Sequence, residues 1–451
     1  MNQPPLPEPF VRRIRDRRHD WGPLLEALTA EERTWGLRVN TLKVSVPSFR
    51  QQMQLTLQPI PWCESGFSYH TGSRPGLHPY HFAGLYYLQD PSAMFPVEAL
   101  DVQPGHRVLD LCAAPGGKST HIAAKLQNRG LLVANELTAT RVTPLLHNLE
   151  RFGSPHYAVT SCRAETMAKA LPDYFDRILV DAPCSGEGLF RKDPHSRQEW
   201  HPRHPQRLAR TQFDLLKAAF AMLKPGGRLV YATCTFAEEE NEQLVDTFLA
   251  EHPAASVVSL APAHGLEITE QGYGKLLPHL MPGEGHFCAT LHKSENRPAT
   301  SGTAKNMVIV DPDRATQREW NEFAAVYLPV LPAHTQLHQH SDKLYLVAAG
   351  LPELSACNLI RPGLLMGRLR GRSFVPEHGL ALAAFARNLP ILDFGPGDPQ
   401  LTAYLRGEAL NADSNVPKGW LLIACDGYPL SLGKHSEGRI NNRLPKGLRL
   451  L

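Results

Sequence analysis

The chain has 451 residues, 42% of them hydrophobic, with a formal net charge of +3; it is globular, long enough for two or three domains, and too mildly charged for any basic surface to be more than local. Its eight cysteines, at 63, 112, 162, 184, 234, 288, 357 and 425, contain no Cys-x-x-Cys pair, so they read as cytosolic thiols and not as a zinc site or disulfide framework, and no metal is expected. With neither a charged-then-apolar leader nor a long apolar span, a cytoplasmic protein without a membrane partner is expected.

Near the start, Arg12, Arg13, Arg15, Arg17 and Arg18 form a basic cluster of the kind found on solvated helix faces. Leu37 to Lys43 alternates apolar and polar residues with the period of a half-exposed strand. Arg38, Asn40 and Lys43 on it suit phosphate contacts or simple scaffolding. Tyr86 to Met94 leads into the next domain and reads mainly as structural support for it.

From Arg107 to Thr120 an apolar strand breaks at Pro115-Gly116-Gly117 and continues as a helix through Leu126, with Ser119 or Thr120 available as its cap. A Walker phosphate loop needs glycine where Cys112 stands, and the Gly-x-Gly-x-x-Gly fingerprint is absent. What remains is an ordinary tight turn or the first turn of a doubly wound sheet serving another nucleoside cofactor. The following segments favour the second. Gly130 to Glu136 is a second strand ending in an acid placed for a ribose, and the helix after it buries Val142, Leu145, Leu146, Leu149 and Phe152 on one face. Tyr157 to Cys162 is a third strand. Arg177 to Asp181 is a fourth, followed by Pro183-Cys184-Ser185-Gly186. Arg228 to Ala232 is a fifth, followed by Thr233-Cys234-Thr235, and Gly285 to Leu291 is the last.

Ligands gather outside the carboxyl ends of parallel strands, so Cys184 and Cys234 are expected on the cofactor rim. Two thiols there suit one chemistry in particular. A pyrimidine carbon 5 becomes nucleophilic only after a thiolate adds to carbon 6, and a second group must help remove the carbon 5 proton afterwards. Asp181 would neutralise charge on the ring. The competing reading is two small buried hydrophobes.

Leu109 to Lys118, Asp181-Ala182-Pro183-Cys184-Ser185-Gly186 and Tyr231-Ala232-Thr233-Cys234-Thr235 resemble the signature motifs of the Nol/Nop/Sun family of RNA cytosine carbon-5 methyltransferases, over roughly residues 30 to 290. The resemblance implies Cys234 as the attacking nucleophile and Cys184 as the releasing group, with Asp181 and Lys118 organising base and thiolate. It implies S-adenosylmethionine as cofactor, held by Cys112, Ala113, Ala114, Pro115, Gly116, Gly117, Lys118, Glu136 and Asp181. Where the family commonly has an acidic or amide residue near the adenine, this chain offers only Glu165 as a substitute.

Phe190 to Arg210 carries Arg191, Lys192, Arg197, Arg203, Arg207 and Arg210 beside the active rim, the footprint of a phosphate backbone. Glu238, Glu239 and Glu240 read as an acid run at a helix N-terminus. Residues 293–306, rich in Ser, Thr, Asn and Pro, read as a linker. Beyond it come a helix at Trp320 to Tyr327, a strand at Lys343 to Val347 and a hairpin about Asp426-Gly427. From Arg361 to Leu451 there are twelve Lys and Arg against seven Asp and Glu. Leu444 to Arg449 resembles the tail of the PUA-like RNA-binding module attached to one bacterial branch of the family, which modifies small-subunit ribosomal RNA.

The expected architecture is α/β. It comprises an N-terminal α+β RNA-binding region at 1–95, a Rossmann-like S-adenosylmethionine-dependent methyltransferase core at 96–292, the linker, a mixed α/β domain at 307–382 and a PUA-like β domain at 383–451. The expected function is RNA cytosine carbon-5 methylation through a covalent Cys234 adduct, on 16S rRNA in the small subunit or an assembly intermediate, by a monomer. A tRNA or DNA cytosine methyltransferase, or a non-catalytic ribosome-assembly factor, is the alternative.

Overall fold

The structure, a computed structural model, describes residues 4–450 apart from 32, 71, 263–264, 296–304, 329, 384 and 386–387. The expected linker at 293–306 therefore lies mostly outside the described residues.

Its centre is a ten-stranded sheet. The five strands Tyr157–Thr160, Leu131–Asn135, Arg107–Asp110, Phe175–Asp181 and Leu223–Thr233 lie parallel in that spatial order. Their residues Val108, Leu109, Val133, Ile178 and Val230 have no exposed surface, as expected for strands covered on both faces. The chain runs outward from Arg107–Asp110 in one direction, returns, and continues from Phe175–Asp181 in the other. The carboxyl ends of these two neighbours thus form the switch point where a crevice opens. The strand His286–Lys293 adds antiparallel to Leu223–Thr233 and pairs Phe287 with Thr233, which puts His286 beside the crevice.

The predicted helix caps differ in detail. Gly116, at φ +111°, caps the helix Gly117–Leu126 without a side chain. Ser119 instead donates to Asp110 at 2.6 Å, and Thr120 accepts from Arg38 at 2.8 Å. The glycine is required, since a Cβ there would come within 3.2 Å of Leu145 in a left-handed backbone.

The ends of the chain fold together. The N-terminal sheet, Leu57–Ile60, Cys63–Tyr69, Trp35–Val39 and Tyr86–Leu88, shares one apolar cluster with the C-terminal sheet. Leu37, Val39, Phe49 and Tyr86 belong to it together with Leu401, Tyr404, Leu421, Ile423 and Leu430. The sheet formed by residues 335–376 joins the C-terminal one through Trp320, Phe323, Trp420 and Leu432. A short strand, Leu359–Arg361, leaves that region to pair with Tyr157–Thr160 on the edge of the central sheet.

Candidate active site

The crevice at the switch point is a cavity of about 400 Å³. Its wall includes Cys112, Ala113, Ala114, Pro115, Gly117 and Lys118 from the first turn. Asp181 and Cys184 come from the turn after the fourth strand, and Cys234 from the turn after the fifth. Three expected residues stay off the wall. Gly116 faces the helix Ala139–Phe152, and Glu136 is buried behind Arg141, 3.5 Å away, while accepting from the Thr138 amide at 2.8 Å. Glu165 is not brought to the crevice at all: the helix Ala164–Ala170 starts with it turned out to solvent.

The two thiols face each other, with sulfurs 3.4 Å apart. Their loops are locked together by the Gly188 amide, which donates to the Cys234 carbonyl at 2.8 Å. A Cβ on Gly188 would sit 2.9 Å from that carbonyl, so only glycine permits the approach. Ser185, next to Cys184, is tied through its amide and hydroxyl to Glu240. Gln212 donates to the same carboxylate at 2.7 Å and to the Pro183 carbonyl at 2.8 Å. Glu240 therefore belongs to the Cys184 turn, and the helix that it was expected to start begins only at Glu242. Burial raises Glu240 to about 7, partly opposed by these donors.

Lys118 donates to Asp181 at 2.7 Å. Burial works against its charge, but Asp181 outweighs that and holds the ammonium above its ordinary pKa, with Cys234 adding to the effect. Cys184 is also raised, for a different reason. Its sulfur faces Cys234, and burial reinforces this, so its thiol keeps the proton. An ammonium beside Cys234 and a protonated thiol opposite it are the arrangement a nucleophilic thiolate needs.

His286 escaped the sequence reasoning. Its Nε2 lies 3.4 Å from the Lys118 Nζ and its Nδ1 lies 3.1 Å from the Ser92 Oγ, which in turn donates to Asp90. Burial and Lys118 lower its pKa to about 4, so the neutral ring accepts from the ammonium and donates to serine. The available signal was its place at the head of an antiparallel strand alongside Thr233. Tyr87, Gln89 and Asp90 also line the crevice, which gives the segment read as structural support a share of the site. Gly117 allows this, because its Cβ would meet the Tyr87 ring at 3.1 Å.

Several expected RNA contacts prove to be scaffold. Arg38 is fully buried and bonds Gln89, Thr120 and the Gly117 carbonyl. Asn40 and Lys43 bond backbone carbonyls. Arg191 pairs with Glu284 at 2.8 Å, and Arg197 bonds the Phe190 and Leu28 carbonyls. Lys192, Arg203, Arg207 and Arg210 remain exposed. The early arginines are not a free face either: Arg13 pairs with Glu187, Arg17 with Glu239, and Arg18 with Asp20 and Glu267. Elsewhere the buried Cys63 and His121 and the half-buried Glu98 offer donors to a cation, but Glu98 is occupied by His121 at 3.1 Å and Lys125 at 2.6 Å.

The crevice suits a nucleoside sulfonium. The turn 112–117 presents backbone and small side chains, Arg141 pins its Ala114 carbonyl at 2.7 Å, and Asp181 has a second carboxylate oxygen beyond the one that takes Lys118.

Comparison with known proteins matches four family models along the chain. They are the 16S rRNA methyltransferase RsmB/F at residues 97–292, the N-terminal domain of 16S rRNA methyltransferase RsmF at 6–91, the RsmF rRNA methyltransferase first C-terminal domain at 322–383 and the methyltransferase RsmF PUA domain at 392–450. Ribosomal RNA small subunit methyltransferase F of Cronobacter sakazakii is 33% identical over 442 residues, covering 91% of this chain and 89% of the relative. The protein of that name from Escherichia coli O9:H4 (strain HS) is 33% identical over 430 residues, with the same two coverages. Among solved structures, a methyltransferase homolog protein from Pyrococcus horikoshii superposes with a TM-score of 0.55 at 28% identity, over 61% of this chain and 91% of that one. NSun6 from Pyrococcus horikoshii with SFG gives 0.56 at 20% identity, over 64% and 98%, a likeness of fold.

Proposed function

The chain belongs to the RsmF family of 16S rRNA methyltransferases, and from that premise we propose how its crevice carries out the reaction. The enzyme is an S-adenosylmethionine-dependent RNA methyltransferase that makes 5-methylcytosine, and its substrate is small-subunit ribosomal RNA. It works as a monomer in the cytoplasm without a metal.

One observation carries the residue assignment: two thiols 3.4 Å apart, one of them beside the Lys118 ammonium. Cys234, as thiolate, adds to carbon 6 of a cytosine turned out of its stack. The electrons pushed into the ring are met by a proton at its nitrogen, delivered by Asp181 from the Lys118 pair. Residues 112–118 and Asp181 would hold S-adenosylmethionine, joined by Glu136 once the cofactor displaces Arg141 from its carboxylate, and when bound it would supply an electrophilic methyl group to carbon 5 with S-adenosylhomocysteine as the leaving group. Glu165 is left out of the ligand set because it faces solvent. Cys184 first passes its own proton to Asp181, which has just given one to the ring, then as thiolate removes the carbon 5 proton, and the electrons left at carbon 5 expel the Cys234 sulfur from carbon 6. What supports this division of labour is the company of each thiol: Cys234 acts on the Lys118 ammonium, whereas Cys184 rests against Cys234 and Glu240 and keeps its proton until the releasing step.

The test is to express Cys184→Ala and isolate it under denaturing conditions with any RNA attached. A covalent RNA adduct that disappears in Cys184→Ala/Cys234→Ala is expected. Methylation that survives Cys234→Ala but not Cys184→Ala would reverse the roles and favour the mode of DNA cytosine methyltransferases.

A further inference from the structure

A second cavity, of about 320 Å³, opens where the N-terminal region, the helix Ala139–Phe152 and the C-terminal sheets meet. One wall is basic, formed by His81, His147, Arg151 and His378. Behind it the Lys43 ammonium rests on two backbone carbonyls, those of Ala83 at 2.7 Å and Arg151 at 2.8 Å. The facing wall is apolar, made by Leu382, Leu430, Leu444 and Leu448.

The lining contains a single carboxylate, Glu150, and Arg361 engages it. Among the described residues neither Lys43 nor Arg151 meets an acid; Arg151 donates to the neutral Asn148 amide oxygen at 2.7 Å. Burial together with Arg151 pulls Lys43 down to about 7 and His81 to about 3, while burial with Lys43 and His147 pulls His378 to about 3. The two imidazoles are therefore neutral donors; the charge is that of Arg151, with Lys43 behind it on backbone carbonyls, and an anion entering here supplies the counter-charge that the fold withholds. The size and the leucine wall favour an organic anion over a bare ion, since pockets for small organic ligands start at about 300 Å³ and are mostly apolar.

We propose that this junction binds a nucleotide, its phosphate against Arg151, His147 and His378 and its base or sugar against the leucines. The site is independent of the chemistry at Cys234. It is joined to the cofactor turn by one side chain: Asn148 accepts from Arg151 and donates to the Pro115 carbonyl at 2.7 Å. The nucleotide is either free or part of an RNA strand, and the chemistry recognised is the same.

The experiment uses the full chain with S-adenosylmethionine saturating the crevice. Binding of uridine 5′-monophosphate, inorganic phosphate and a short oligouridylate is measured by calorimetry for the wild type, Arg151→Gln and His147→Glu. Gln at 151 can still donate to Asn148, and His147 is exposed, so the second variant does not disturb the core. At least tenfold weaker binding is expected in both variants, the scale of a lost hydrogen bond to a charged group. Loss seen with the mononucleotide assigns a free nucleotide, and loss seen only with oligouridylate assigns an RNA strand. Equal binding by all three proteins, or no binding of either nucleotide probe at millimolar concentration, overturns the proposal. Inorganic phosphate binding as tightly as the mononucleotide overturns the role given to the leucine wall.

Discussion

His286 shows how much of the crevice depends on single atoms. Its neutral ring takes a hydrogen bond from Lys118 and passes one to Ser92, which fixes the direction of the ammonium that faces Cys234. His286→Phe removes the acceptor while keeping the shape. It is expected to lower kcat by about 10- to 100-fold, the value of a hydrogen bond to a charged group, with the KM for S-adenosylmethionine unchanged. His286→Gln, which restores an acceptor, should recover part of the loss. Equal activity of the phenylalanine variant would show that Asp181 alone orients the lysine.

Glu240 is a second residue with a measurable signature. Its pKa rises from 4.5 unfolded to about 7 folded, so between those values the folded chain holds a proton that the unfolded chain releases. Stability therefore falls as pH rises from 4.5 to 7 and stays lower above, by roughly 3 kcal/mol. Glu240→Gln should flatten that dependence, as read from denaturant titrations at pH 5 and pH 8. The same slope in both proteins would mean that Glu240 titrates as it does in water.

At the scale of elements, the decisive contact is between two turns. The Gly188 amide and the absence of a side chain there let the Cys184 and Cys234 loops touch. Gly188→Ala would push against the backbone carbonyls of Cys234, Glu284 and Gly285, none of which is the end of a flexible side chain. An overpacking cost of about 1–3 kcal/mol should appear at the site, as a loss of methyl transfer of about tenfold or more with the thermal midpoint little changed. A variant with full activity would show that the turns are more compliant than their hydrogen bond suggests. The arginine-rich first helix Glu8–Arg17 works at the same scale: Arg13 and Arg17 anchor it to Glu187 and Glu239, which flank the thiol turns.

For the whole molecule, the apolar cluster shared by the N- and C-terminal sheets means that neither end has a core of its own. Ile423 has no exposed surface and lies in that cluster with Leu37 and Phe49. Ile423→Ala is expected to cost about 2–5 kcal/mol and to loosen residues of both ends together, seen as a lowered denaturation midpoint with hydrogen exchange rising in the strands Trp35–Val39 and Gly419–Cys425. Exchange rising in the C-terminal strand alone would make the two sheets independent.

Much of this protein was decided locally. Periodicity and turn chemistry located four of the parallel strands near their observed bounds, because strands buried on both faces must be apolar almost throughout and must end in residues able to turn; the fifth, read from Arg228, begins five residues earlier at Leu223. The same turns carried Cys112 to Lys118, Asp181, Cys184 and Cys234, since parallel strands deliver their carboxyl ends to one rim. What local pattern cannot express is which distant partner a polar group meets. Whether Arg38, Arg191 and Glu240 face water or are buried, whether Glu165 points in or out, and whether His286 reaches Lys118 all follow from packing between segments far apart in the chain. The strand Leu359–Arg361 joining the central sheet, and the two chain ends sharing one core, were likewise decided only when tertiary structure paired surfaces that a one-dimensional pattern leaves unassigned.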